Sequence, residues 1–355
     1  MQQARKETAA AGGGLGPVPA PGMGAEHPPV LLVVVDTEEE FDWEKPFSPS
    51  EVGVSAMAAQ EAAQRILESH GLRPVYAVDY PIVDTEEGYA WLRERHSAGR
   101  IDIGAQMHPW VNPPRREEIS FRNSFAGNLP RDLEREKIVA LTERIGEVFG
   151  AAPVFYKAGR YGFGPNTADL LLEQGYLIDG SSFPTRDFRH EGGPDYTGHP
   201  VAPYWIRTRA GALLELPRTA AVTGLFSPWA ARLFPLISTP AGERLRLPGV
   251  CSRLGLMNRI TLTPEGVSLE EAKLLTRHLL AQGQRIFHLS YHSPSLVPGH
   301  TPYVRSQRDL EAFLHWLDDY IAFFLHEAGG VAMPLDEIYT TMKAAEANSA
   351  EETDS

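Results

Sequence analysis

Val30-Leu-Leu-Val-Val-Val35 runs directly into Asp36-Thr-Glu-Glu-Glu40-Phe-Asp42-Trp43. An unbroken aliphatic and β-branched run fits a strand covered on both faces, as in a parallel sheet. A carboxylate abutting such a strand is costly unless it meets a cleft, a metal or a cation. The junction at Asp36 therefore predicts that the C-terminal end of this strand opens on a site.

Outward from this junction, strand-like and helix-like segments alternate. Apolar residues at helical spacing cover 55–69 and stop at His70-Gly71, and 74–78 is the next strand. Helices are predicted over 86–98, 132–149, 167–174, 268–282 and 310–326. Further strands are predicted over 101–104, 153–156, 176–179, 212–216, 285–290 and 331–333. This alternation predicts an α/β fold, a distorted parallel (β/α) barrel of about seven strands with its site at the C-terminal strand ends. A doubly wound open sheet is the alternative, but no Gly-rich fingerprint follows the first strand. The barrel is expected to span 29–344. Within it, about 186–265 is rich in Pro, Gly and Arg and reads as a long irregular insertion over the barrel mouth. Residues 1–28, rich in Gly, Ala and Pro, and the acidic 345–355 read as disordered tails.

Composition narrows the function. Hydrophobic residues make up 43% of the chain, enough for a large core. The formal net charge of -13 argues against nucleic acid and anionic membranes, which need a basic footprint. No apolar run approaches the ~18 residues that span a bilayer. The N-terminal stretch lacks the apolar segment of a signal peptide, so a cytoplasmic location is expected. The single cysteine, Cys251, leaves His, Asp, Glu and water to hold any metal. Oligomeric state is not legible.

Polar residues gather at predicted strand ends. After the third strand comes Gly104-Ala-Gln106-Met-His108-Pro-Trp110-Val-Asn112-Pro-Pro114, where His108 is a candidate ligand or base. After the fourth comes Lys157-Ala-Gly-Arg160-Tyr161-Gly162-Phe-Gly164, whose glycines let backbone approach a ligand and whose N–H groups suit an oxyanion. Asp179-Gly-Ser181-Ser182 follows the fifth, and His288-Leu-Ser-Tyr-His292-Ser293 ends the seventh. Even spacing places His288 and His292 on one side of the strand, but only His292 reaches its end. His288 reads as inward or structural and His292 as the better proton-transfer candidate.

The order of these motifs resembles the polysaccharide deacetylase family, the NodB-homology carbohydrate esterases, over roughly Val30 to Met333. Within that family it is similar to the WalW-like branch, through Gln106–Pro114, Asn123-Ser-Phe-Ala-Gly-Asn-Leu-Pro130, Ala158-Gly-Arg-Tyr-Gly162, His292-Ser-Pro-Ser-Leu296 and Thr301-Pro-Tyr-Val304. The resemblance implies a hydrolase of carbon–nitrogen, non-peptide bonds that removes an acyl group, acetyl in the first instance, from an N-acylated sugar or glycan precursor. It implies a divalent metal, usually zinc, that polarises the carbonyl and activates water. Carried over, Asp36 is the general base and His292 the acid, Asp179 orients His292, and Arg160 pairs with Asp36 in competition with Lys157. Tyr161, Gly162 and Trp110 contact substrate or its oxyanion, and Glu38, His108 and Gln106 hold the metal. The match departs from the family at the metal site, where the His-x-x-x-His positions fall on Gln106 and Trp110. That departure supports an alternative, a barrel that binds carbohydrate without turnover. A glycoside hydrolase using paired carboxylates such as Asp36 and Asp179 is another. Which sugar and which acyl group are cleaved is not legible.

Overall fold

The computed structural model describes residues 17–20, 23–24, 27–43, 45–229, 242 and 244–354. In chain order the strands are β1 (Pro17–Pro19), β2 (Val30–Thr37), β3 (Val75–Val78), β4 (Asp102–Met107), β5 (Phe155–Ala158), β6 (Ile178–Asp179), β7 (Tyr204–Arg207), β8 (Ala212–Glu215), β9 (Ala220–Thr223), β10 (Asn258–Thr261), β11 (Ile286–His292) and β12 (Val331–Ala332). The α-helices are α1 (Glu61–Ser69), α2 (Tyr80–Asp84), α3 (Glu86–Ser97), α4 (Arg131–Phe149), α5 (Thr167–Glu173), α6 (Leu247–Arg253), α7 (Leu269–Ala281), α8 (Gln307–Ala322) and α9 (Leu335–Asp354).

Seven strands form a continuous parallel array in the order β8-β6-β5-β4-β3-β2-β11. This is the predicted (β/α) barrel. Its ladder does not close, but Thr219 N donates to His288 O at 3.3 Å and Ser290 N to Leu262 O at 3.4 Å across the gap beside β11. β7 and β1 extend the β8 edge antiparallel.

β2 shows why the run from Val30 to Val35 folds as it does. Val30, Leu32 and Val34 point inward and pack with Val75, Phe155 and Leu214. Leu31, Val33 and Val35 point outward into the core shared with the helices. Both faces are therefore dry, and the strand needs no polar alternation. The helices start where their sequences allow. Ser268 and Ser306 cap α7 and α8 in reciprocal capping boxes with Glu271 and Asp309, an arrangement that contributes ~1 kcal/mol each.

Three expectations change. Pro17–Pro19, placed in the N-terminal disordered tail, pairs with β7, and Met23 is buried in the inner core; residues 1–16 lie outside the described residues. α9 continues to Asp354 through the segment expected to be loose. The span 186–265 is not simply irregular, since besides the expected strand β8 it contains the β7 edge and the antiparallel β9–β10 pair; its residues 230–241 and 243 lie outside the described residues. Among the described residues no helix is long and apolar enough to cross a membrane.

Glu134, in the first turn of α4, is fully buried. Its Oε1 accepts the Thr167 hydroxyl, and its Oε2 has no partner. Burial pushes its pKa up to about 7. A carboxyl whose folded pKa is raised favours folding fully only below its unfolded value, and that contribution is lost as pH rises through 7. Glu134→Gln should therefore stabilise the protein by ~1–3 kcal/mol at pH 8 and change little near pH 4.5. Urea unfolding at the two pH values measures this; an equal effect at both would place the cause elsewhere.

Candidate active site

Strand parity carries the inward row of the barrel beyond its apolar layer. Inward positions 30, 32 and 34 of β2 are followed by Asp36, and the register sets Asp36 beside His292 on β11. Gln106 on β4 pairs with Lys157 on β5. These groups floor an open cleft of about 880 Å³ at the C-terminal strand ends, together with Glu38 and His108. That volume suits a small ligand or a sugar unit.

Asp36 is only 2% exposed. Lys157 reaches across the barrel and forms an ion pair with Asp36 Oδ1. Its path crosses small residues, Ala77 and Gly104, which the register places between the two strands. A side chain at Gly104 has no room, because its Cβ would lie 2.7 Å from Phe155 Cδ1. Burial alone would raise the Asp36 pKa, but Lys157, His292 and Arg218 together bring it below the usual carboxylate value. Asp36 is therefore an anion at neutral pH.

The second oxygen of Asp36 faces His292 Nε2 at 3.6 Å. The other ring nitrogen, Nδ1, lies 2.7 Å from Glu265 Oε2. Glu265 Oε1 also accepts the His292 backbone N–H and the Ser295 hydroxyl. Burial would push the Glu265 pKa up, but His292 and these hydrogen bonds bring it down. The carboxylate thus sets the ring with Nε2 toward Asp36 and the cleft. Trp43 closes the outer side, its ring edge-on to His292 at 5.1 Å.

The other half of the floor is built on His108. Its Nδ1 lies 2.7 Å from Glu39 Oε2, and Trp110 Nε1 donates to Glu39 Oε1 at 2.7 Å while stacking on the His108 ring at 4.3 Å. Burial pushes the His108 pKa down to about 4, so the ring is neutral and presents Nε2 to the cleft. Gln106 Nε2 lies 3.0 Å from Glu38 Oε2 and 3.2 Å from His108 Nε2. Gly159 makes room for this ring, since a Cβ there would lie 2.2 Å from His108 Cδ2.

This region offers ligands for a metal. Glu39, Asp79 and His108 present ligand atoms within 4.8 Å of one another. Toward the cleft, Glu38 Oε1 and Gln106 Oε1 are buried without hydrogen-bond partners. Burial and then the neighbouring carboxylates Glu39, Asp36, Asp79 and Glu265 push the Glu38 pKa well up. Orphaned oxygens, crowded carboxylates and a neutral imidazole anchored through its other nitrogen fit a divalent cation.

Several expected residues meet other partners. Arg160 does not pair with Asp36. It pairs with Glu191, donates to Ser124 Oγ at 2.5 Å and stacks over the Phe125 ring at 4.3 Å. It sits in a turn with φ of 54°, followed by Tyr161 at 61°, beyond the regular strand that aims Lys157 inward. Asp179 does not orient His292. Register groups it with Tyr156 and Glu215 on the outward face of the sheet, where it accepts Ser181 Oγ at 2.7 Å. It does not line the cleft. Glu265 takes its place, arriving from beyond β10 in the span read as an insertion. A lone Thr-Pro-Glu-Gly stretch there carried no signal of its role. Gly162 N–H is spent on Gly159 O at 3.1 Å and is not free for an oxyanion. Tyr161 and Trp110 do line the cleft. His288 is structural as expected, its Nδ1 lying 3.0 Å from Leu216 O.

No family model matches this sequence, and no curated protein matches it. Solved structures do. A Mycobacterium smegmatis protein assigned as a polysaccharide deacetylase superposes with a TM-score of 0.51 at 16% identity, covering 93% of this chain and 96% of that one. The allantoinase PuuE superposes with a TM-score of 0.53 at 14% identity, covering 92% of this chain and 94% of that one. This chain shares their fold.

Proposed function

We propose that this protein is a hydrolase of carbon–nitrogen bonds outside peptides, removing an acyl group, acetyl in the first instance, from an N-acylated sugar. The observation that carries this reading is the Lys157–Asp36–His292–Glu265 chain on the cleft floor. Lys157 keeps Asp36 ionised, so Asp36 can accept a proton from water at the acyl carbon. Glu265 holds the His292 ring so that Nε2 can hand a proton to the leaving amine. The aromatic walls, Trp43, Tyr303 and Phe183, suit the apolar faces of a sugar ring.

A divalent ion, zinc in the first instance, would be held by Glu38 and His108 with the Gln106 carboxamide, where it would polarise the acyl carbonyl and acidify water. Trp110 and Glu39 then act on His108 from behind, fixing its tautomer. The fold neighbours, an assigned polysaccharide deacetylase and an allantoinase, agree with an amide-cleaving reading, and the motif order supports a place near the WalW-like branch. Asp179 lies outside the cleft, so the Asp36–Asp179 pair offers no support for glycoside hydrolysis.

Acetate release from N-acetylated amino sugars tests the reaction, alongside elemental analysis of protein purified without chelator. The expected result is turnover, with about one divalent ion per chain that is lost in His108→Ala. Turnover without metal in either protein would retain the hydrolase and remove the ion. Sugar binding with no turnover at any metal would replace the enzyme by a carbohydrate-binding barrel.

A further inference from the structure

The cations of the cleft are not equivalent. Lys157 is paired with Asp36, Arg160 with Glu191 and Lys45 with Asp42. Arg218, just beyond β8, is 5% exposed and lines the same cleft. Among the described residues no carboxylate forms an ion pair with it. Its Nη1 donates to the Tyr161 hydroxyl, a neutral partner, and its buried Nε has no hydrogen-bond partner among the described residues. The guanidinium lies over the rings of Phe183, at 5.2 Å, and Tyr161, at 5.8 Å. Its backbone N donates to Ser182 O at 2.9 Å. Arg186 and Arg259 line the same wall.

A guanidinium taken out of water without a carboxylate contact is unfavourable unless something completes it. Asp36 and Glu265 feel its charge only from beyond contact distance. The planar fork matches a carboxylate in two-point contact, and the rings beneath it hold it in one orientation. The chain as a whole carries a charge of -13 and repels anions, so a buried arginine in the cleft serves selection rather than general attraction.

We propose that Arg218 is the core of an anion subsite and that the substrate is an acidic N-acyl sugar, with a carboxylate on the sugar unit whose amide is cleaved. This rests on the hydrolase reading for its location but not for its test. The probes are the methyl glycosides of N-acetylglucosamine and of its C6 carboxylate, which differ only in that group. Titration calorimetry on the whole protein should show the acid binding at least tenfold more tightly than the neutral sugar. Arg218→Met should abolish that preference while still binding the neutral sugar, and Arg218→Lys, which keeps charge but not the fork, should retain part of it. Equal binding of the two sugars, binding of neither, or a preference that survives in Arg218→Met would overturn the subsite. If Arg218→Met does not fold, the Arg218→Lys comparison decides, and an undiminished preference there counts against the proposal. A preference for the acid without acetate release would sink the hydrolase reading and leave the subsite standing. Acetate released equally from both sugars would do the reverse.

Discussion

If His292 acts as the proposed general acid, His292→Ala should lower kcat by about two to four orders of magnitude, the usual contribution of such a group, with a much smaller change in KM. The ring stands between two carboxylates, 2.7 Å from Glu265 through Nδ1 and 3.6 Å from Asp36 through Nε2. The Glu265 carboxylate acts only through the ring, so Glu265→Gln should cost less, about ten- to a hundredfold, mostly in kcat. Added imidazole should restore part of the activity of His292→Ala, since the lost group is a small diffusible base. Turnover that is unchanged in His292→Ala would remove this residue from the mechanism.

Lys157→Met should destabilise the protein by ~3–5 kcal/mol near neutral pH, because it leaves a buried carboxylate without its cation. Methionine nearly preserves volume, so the effect reports charge rather than a cavity. The sign with pH follows from Asp36. In the native protein its folded pKa lies below 3.8, which favours folding above that value and is lost as pH falls through the folded pKa. Without Lys157 the largest lowering influence is gone, and burial pushes the folded pKa up from its native position. The penalty is then absent while Asp36 stays protonated and grows as pH rises through its folded pKa. Urea unfolding should show the destabilisation shrinking toward pH 4. Asp36→Asn added to Lys157→Met should recover much of the loss, a coupling of more than ~1 kcal/mol in the double-mutant cycle. Simple additivity of the two substitutions would mean that the buried pair contributes nothing as a pair.

Much of this protein was legible before any coordinates. The dry run from Val30 to Val35 could only be a strand with both faces covered, and periodicity located most of the helices around it. Because side chains alternate along a strand, Asp36 and His292 had to stand at the rim once their strands were placed. Local sequence also located Glu38, Gln106 and His108 at strand ends. What it could not decide was which partner each charge takes. Lys157 and Arg160 are three residues apart, and only the end of β5 decides that the lysine points inward while the arginine leaves on a turn. Asp179 also ends a strand, yet register with Tyr156 and Glu215 turns it to the opposite face. Glu265 and Arg218 come from stretches with no motif at all and reach the cleft because the β8 and β10 ends close over it. Local sequence sets periodicity and the cost of burial. Pairings between residues more than a hundred positions apart depend on strand register and on which charges burial leaves uncompensated, and those exist only in the folded chain.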